Sequence, residues 1–203
     1  MMVERSEWTR IIEEDPEHSQ RYIQRFRDMA AEGVDLGGEA RLLDAMVGRN
    51  ARILDAGCGP GRVGAFLFDA GHRVVGIDGD PALIAAAKDD HPGPTWVVGD
   101  LAELDLWAHG VDEPFDAIVC AGNVMAFLAV STRQLVLERM RTHLADDGRL
   151  VIGLGAGRDY EFDDFFADAA AAGLEVEFRA STWDLRRFSE DSEFLVAVLT
   201  AAS

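Results

Sequence analysis

The 203-residue chain has little of several things, and each shortage narrows what it can be. Its two cysteines, Cys58 and Cys120, lie in a glycine-rich segment and an apolar run, which suits reduced internal thiols better than an extracellular disulfide staple. Lys88 is the single lysine, so there is no lysine-rich patch and little provision for Schiff-base chemistry. Basic side chains number 19 against 37 acidic ones, and the formal charge of -18 disfavours nonspecific attraction to nucleic acid or to an anionic membrane. No apolar run approaches the roughly 20 residues that a transmembrane helix needs, and the opening Met1-Met2-Val3-Glu4-Arg5 does not read as a signal peptide. No zinc-ligand cluster is visible, so no metal is expected. Taken together, these shortages predict a cytoplasmic protein acting on a small molecule, with neither nucleic acid nor membrane as partner.

What is present concentrates in Arg52-Ile53-Leu54-Asp55-Ala56-Gly57-Cys58-Gly59-Pro60-Gly61-Arg62. An apolar strand runs into an acid and three alternating glycines, where the backbone must turn tightly beside a ligand. Gly61 to Asp69 then carries Val63, Phe66 and Leu67 at helical spacing, giving a helix whose first amides face the loop. A second strand, Arg73 to Asp78, ends in another acid about twenty residues after the glycines, where a carboxylate accepts from ribose hydroxyls in doubly wound folds.

That architecture alone admits NAD. The register Gly57-x-Gly59-x-Gly61, however, puts Arg62 where a dinucleotide fingerprint wants a small residue, and the register that satisfies the string, Gly59-x-Gly61-x-x-Gly64, starts two residues late. Asp55 would also repel a pyrophosphate and favour a cationic cofactor.

At this point the chain resembles the class I S-adenosylmethionine-dependent methyltransferases. The resemblance continues through Trp96-Val97-Val98-Gly99-Asp100-Leu101, Phe115 to Cys120 and Leu144 to Ile152, covering about residues 51 to 154. It implies that Gly57, Cys58, Gly59 and Gly61, with Arg62, hold the methionine part of S-adenosyl-L-methionine, and that Asp55 lies near its ammonium group. It further implies that Asp78, followed by Gly79, binds the ribose diol, and that Asp100 accepts from the adenine amino group while the Leu101 amide meets the ring edge. Ala121 and Asn123 would lie near the methyl-transfer opening. Asn123 can equally cap the next helix, and Cys58 has no histidine partner that would make it a nucleophile. An NAD-dependent oxidoreductase and a non-catalytic S-adenosylmethionine-binding protein are the competing readings.

The remaining periodicity predicts an α/β fold: a doubly wound, seven-stranded, mostly parallel sheet with an antiparallel terminal strand, the Rossmann-like fold of those enzymes. Helices are expected at Pro81 to Asp90, Arg133 to Leu144 and Phe162 to Ala172. The last two strands, at Leu174 and Phe194, are too close for a helical crossover and should be antiparallel neighbours. Residues 1–203 read as one domain, with 1–50 a helical cap built from His18 to Ala31 and Glu39 to Val47, and 51–203 the catalytic core. In the resembling fold such a cap covers the cofactor, which makes Trp8, Tyr22 and Arg27 candidates for a lid. Beyond the strand ends, Met125, Phe127, Arg158, Trp183 and Arg187 are candidate substrate contacts, and Tyr160 or Asp159 a candidate proton acceptor. The Asn/Asp-Pro-Pro-aromatic motif of many amino-group methyltransferases is replaced by Ala121-Gly122-Asn123-Val124. A monomer and a homodimer are both compatible with the amphipathic cap.

Overall fold

The computed structural model describes residues 3–202. Its centre is a seven-stranded sheet in the order β3-β2-β1-β4-β5-β7-β6. The strands are β1 (Arg52–Ala56), β2 (Arg73–Asp78), β3 (Thr95–Val98), β4 (Phe115–Cys120), β5 (Leu144–Gly155), β6 (Leu174–Ala180) and β7 (Phe194–Ala201). The first five are parallel, and β7 runs antiparallel between β5 and β6. The expected sheet and its antiparallel ending are therefore present.

Alternation along the strands supplies two apolar faces. Ile53, Val74, Ala117, Val119 and Val151 pack on one side against Leu43, Val63 and Leu67 of helices α3 (Gly38–Met46) and α4 (Arg62–Asp69). Leu54, Val75, Ile118, Leu150 and Ile152 face the other way, towards Val136, Leu137 and Met140 of α7 (Arg133–Thr142) and Phe165 of α8 (Phe162–Ala171). Phe66, at helical spacing with Val63 and Leu67, is 46% exposed. It sits on the outer side of α4, where its ring lies close to Gly37, because Val63 and Leu67 already fill the sheet-facing stripe.

Helix α5 (Pro81–Asp90) starts on a strong signal, with Asp80 as N-cap accepting from the Ala82 amide at 2.8 Å and proline in the first turn. Ahead of the sheet lie α1 (Glu7–Glu14) and α2 (His18–Ala31). The periodicity reading missed α1, although Ser6 caps it by accepting from the Thr9 amide at 3.1 Å. A short helix, α6 (Val124–Phe127), follows β4. No helix among the described residues is long and apolar enough to cross a membrane.

Candidate active site

Strand order reverses between β1 and β4, so the connections leaving these two strands diverge and open a crevice at their carboxyl ends. The loop after β1 forms its floor. Gly57 and Cys58 both donate backbone N–H groups to the Ile77 carbonyl, at 2.8 and 3.0 Å, which pins the loop to β2. Gly57 has φ +76°, and a Cβ there would lie 2.5 Å from Val124, so only glycine lets α6 come this close. Gly61, at φ +88°, packs against Trp96 and Ala87 with the same lack of room.

Three acids surround that loop in different ways. Asp55 is 2% exposed and accepts from the Gly64 amide at 2.8 Å, so it caps α4 from the preceding strand, a role the chain leaves open because Gly61 has no side chain to do it. Burial pushes its carboxyl up to about 7, against the pull of the Gly64 amide and the Arg62 charge. Asp78 accepts from the Gly59 amide at 2.9 Å with one oxygen and from the Asp80 amide at 2.9 Å with the other. Burial raises it to about 6, partly offset by those two amides. Asp100 accepts from the Ala102 amide at 2.8 Å.

Above the loop is a cavity of about 150 Å³ in which Asp78, Gly79, Asp100 and Leu101 share a lining with Trp8, Tyr22 and Phe127. An adjoining cavity of about 70 Å³ reaches Asp55, Cys58, Arg62 and Ala121, with Tyr22, Gly57, Gly59 and Val124 common to both. Arg62 is the one cationic side chain on these walls, and its guanidinium is held by Glu39 at 2.5 and 2.8 Å and by the Leu36 carbonyl. The walls therefore present carboxylates and side-chain-free glycine backbone, with no free cation among the described residues. Such a surface welcomes a cationic ligand and opposes a pyrophosphate.

Residues 53–148 match the family described as "Methyltransferase domain". A TehB-like SAM-dependent methyltransferase from Corynebacterium glutamicum, solved by crystallography, is 51% identical and superposes with a TM-score of 0.87, over 92% of this chain and 100% of that one. The magnesium-protoporphyrin O-methyltransferase of Rhodobacter capsulatus is 30% identical over 147 residues, 68% of this chain and 60% of its own length. The 18S rRNA (guanine-N(7))-methyltransferase of Bos taurus is 25% identical over 168 residues, 79% of this chain and 59% of its own. The chain thus spans about three fifths of those two curated relatives.

The chain belongs to the class I S-adenosylmethionine-dependent methyltransferases. Its cofactor is S-adenosyl-L-methionine, and the redox and silent-binder alternatives fall away with that assignment. The cleft of the methyltransferase also fits a sulfonium cofactor on its own terms: among the described residues, each oxygen of Asp78 accepts a single hydrogen bond and keeps a free acceptor direction, and no unpaired cation competes.

Several residues singled out by sequence stand away from the two cavities of the methyltransferase. Tyr160 is fully buried, donates to Asp168 at 2.7 Å and lies under the Arg133 guanidinium, so burial and that carboxylate hold its hydroxyl protonated. Asp159 is exposed on the loop after β5 with φ +55°, and Arg158 is exposed beside it. Neither lines either cavity.

Asn123 adopts φ +62° and accepts from the Gly155 amide at 2.6 Å, tying the end of β4 to the end of β5. It makes no side-chain cap to α6. Met125 is fully buried in the core. Trp183 packs on Gly153 and Phe194 at the far side of the sheet, and Arg187 pairs with the backbone of Ala180. Arg27 reaches Asp90 rather than the cavity, with hydrogen bonds of 2.8 and 3.0 Å. Cys58 lies among Ile84, Ala87 and Trp96, and burial pushes its thiol well above the usual range.

The structure brings in residues that the sequence reading passed over. Ser6 and Thr9 line the larger cavity from the start of α1. Asp80 lies behind it, its Oδ2 accepting from Ser19 Oγ and from Trp8 Nε1 at 3.0 Å. The sequence signal was the Asp80-Pro81 pair, a helix start that periodicity located without revealing its tertiary partners.

Proposed function

We propose that the protein transfers the methyl group of S-adenosylmethionine to an oxygen, nitrogen or carbon nucleophile of a small molecule, in the cytoplasm, as a monomer or homodimer of one domain with residues 1–50 as cap and 51–203 as core. The observation that carries this is the shared cavity lining: acids at the ends of β1, β2 and β3 face an aromatic roof of Trp8, Tyr22 and Phe127, with no free cation among the described residues. Bound there, the cofactor supplies an electrophilic methyl group on a sulfonium.

In this reading Asp78 takes the ribose hydroxyls on its remaining lone pairs, with Gly79 beside it, and Asp100 accepts from the adenine amino group while Leu101 offers its amide. Gly57, Cys58, Gly59 and Gly61 hold the methionine end, Asp55 neutralises its ammonium, and Ala121 flanks it. Arg62 braces the loop against Glu39. Tyr22 and Phe127 exclude water and form one wall for the acceptor, so that catalysis rests on proximity and orientation. Acceptors that already carry an available lone pair suit such a site best, because no titratable side chain on the described walls stands free to serve as a base near neutral pH except the acids assigned to the cofactor.

The charge of -18 weighs against RNA as acceptor, in contrast to the substrate named for the bovine relative. The test is transfer from methyl-labelled S-adenosylmethionine to two panels, small nucleophiles (amines, phenols, carboxylates, thiols) and ribosomal RNA. Label in a small acceptor with RNA unlabelled supports the proposal; saturable labelling of RNA alone sinks it.

A further inference from the structure

We propose that Asp80 is a positioning residue that latches helix α1 over the cofactor cavity through its hydrogen bond from Trp8. The inference rests on reading the larger cavity as the cofactor site. Ser6, Trp8 and Thr9, from the cap and first turn of α1, share the lining of that cavity with Asp78 and Asp100, so α1 is one of its walls. Movement of that wall would widen the partly open cavity for exchange of a nucleoside-sized ligand.

The two cap helices are attached very differently. Helix α2 runs alongside α5, with Ser19 bonded to Asp80 at one end, Ile23 buried against Leu83 and Ala86 in the middle, and Arg27 paired with Asp90 at the other end. Helix α1 has no buried residue. Among the described residues, its one direct hydrogen bond to anything beyond α2 is Trp8 Nε1 to Asp80 Oδ2, at 3.0 Å; an indirect tie runs from Arg10 to Glu4, just ahead of the helix, which accepts from Ser131 Oγ at 2.6 Å. The Trp8 ring meets His18, Tyr22 and Phe127 edge-on, at centroid distances of 5.1 to 5.8 Å, contacts that a small rotation can break and remake. The segment between the helices, Asp15-Pro16-Glu17, is the pivot.

Asp80 supplies the force that closes the latch. With α1 in place the residue is 2% exposed and its Oδ2 has two donors, Ser19 Oγ and Trp8 Nε1; when Trp8 leaves, the carboxylate keeps the first and loses the second. The latch is also wired to the ligand. The Asp80 amide donates to Asp78 Oδ1, and Asp78 Oδ2 accepts from the Gly59 amide, so one turn carries both the latch carboxylate and the ribose carboxylate. A ligand that orders this turn favours the closed cover, and a closed cover favours the ligand by the same factor.

Two substitutions break the bond: Trp8→Phe leaves the Ser19–Asp80 contact in place, and Asp80→Asn reverses it, the Ser19 hydroxyl then accepting from the asparagine amide. Asp80→Asn keeps the Oδ1 acceptor that caps α5, since asparagine caps as well as aspartate, but turns Oδ2 into a donor that cannot receive the indole N–H. Trp8→Phe keeps an aromatic ring and removes the N–H. Release of S-adenosylmethionine is followed by stopped flow, and amide hydrogen exchange across residues 7–31 is followed in the ligand-free protein. Each variant should release the cofactor roughly 10-fold faster and exchange the α1 amides roughly 10-fold faster, with α2 protection from Ile23 onward unchanged. The double variant should be no worse than either single one. Wild-type exchange in α1, effects that add in the double variant, or loss of protection throughout α2 and β2 would each overturn the latch. The exchange experiment uses no cofactor, so a wild-type protein that fails to bind S-adenosylmethionine would refute the cofactor site while the exchange data still decide the latch.

Discussion

Ile118, in the middle of β4, has no exposed surface and lies between the apolar sides of α7 and the neighbouring strands, whereas no residue of α1 is buried. Both segments carry isoleucine and both border the cleft. The sheet is held by area removed from water, which is non-directional and hard to lose a little at a time. The cover is held by a few directional bonds and by one partly buried ring, Trp8, packed on Ile23, Leu83 and Ala86, a small set of contacts next to the sheet's. The comparison teaches where this protein keeps stability and where it keeps motion: the strand ends that fix the cleft acids belong to the rigid part, and in the proposed latch the wall facing them belongs to the part that opens at low cost.

The largest expected effect tests the rigid side. Ile118→Ala removes a fully buried side chain from the sheet and should cost about 3 kcal/mol in urea unfolding, whereas Ile11→Ala in α1 should cost under about 1 kcal/mol. Equal losses would erase the distinction between sheet and cover. Next comes Asp78→Ala, which removes both acceptors that tie Gly59 and Asp80 into the turn. S-adenosylmethionine binding by calorimetry should weaken roughly 100-fold, as expected when charged hydrogen bonds are lost, while the melting temperature falls far less than in Ile118→Ala.

A third prediction uses the raised carboxyls. Asp55 titrates at about 7 and Asp78 at about 6, both above their value in the unfolded chain, so the folded state holds extra protons between about pH 4 and pH 7. Their stabilising contribution is complete below about pH 4 and is lost as pH rises through 6 and 7; the ligand-free protein should lose stability across that window. A cationic ligand has the opposite preference. It favours ionised Asp55, so S-adenosylmethionine affinity should rise by up to about 10-fold from pH 6 to pH 8, with proton release on binding seen as a buffer-dependent calorimetric enthalpy. Asp55→Asn should flatten that rise; a pH-independent affinity in the wild type would contradict the placement of Asp55 beside the cofactor's charge.

The same division governed what the sequence made legible. Strand runs such as Phe115 to Cys120 and the order of acid, glycines and second acid carry their own periodicity, and the sheet, the antiparallel ending and the cleft-lining Asp55, Asp78 and Asp100 follow from local pattern. Residues after the strands do not. Tyr160, Met125 and Trp183 share a chemistry that suits a substrate pocket equally with a core, and their burial is decided by how the loops turn, which no local period encodes. Asp80 shows the complementary gap: its capping role is written in Asp-Pro, but its bonds to Trp8 and Ser19 span 72 and 61 residues of sequence.

The smallest expected effect lies between the two regions, at Arg27. Its place on the cap helix made it a lid candidate, yet its guanidinium pairs with Asp90 at the far end of α2, and the arginine is 46% exposed. Exposed pairs of this kind lose most of their attraction to solvent screening and to the entropy of two long side chains. Because Ile23 already seats α2 on Leu83 and Ala86, removing the pair leaves the helix where it is. Arg27→Ala should therefore keep cofactor affinity within about twofold of wild type and α1 exchange unchanged, in contrast to Trp8→Phe. A loss of affinity as large as that of the latch variants would mean that α2 moves as well, and that the cover is a pair of helices opening together rather than α1 swinging on a fixed partner.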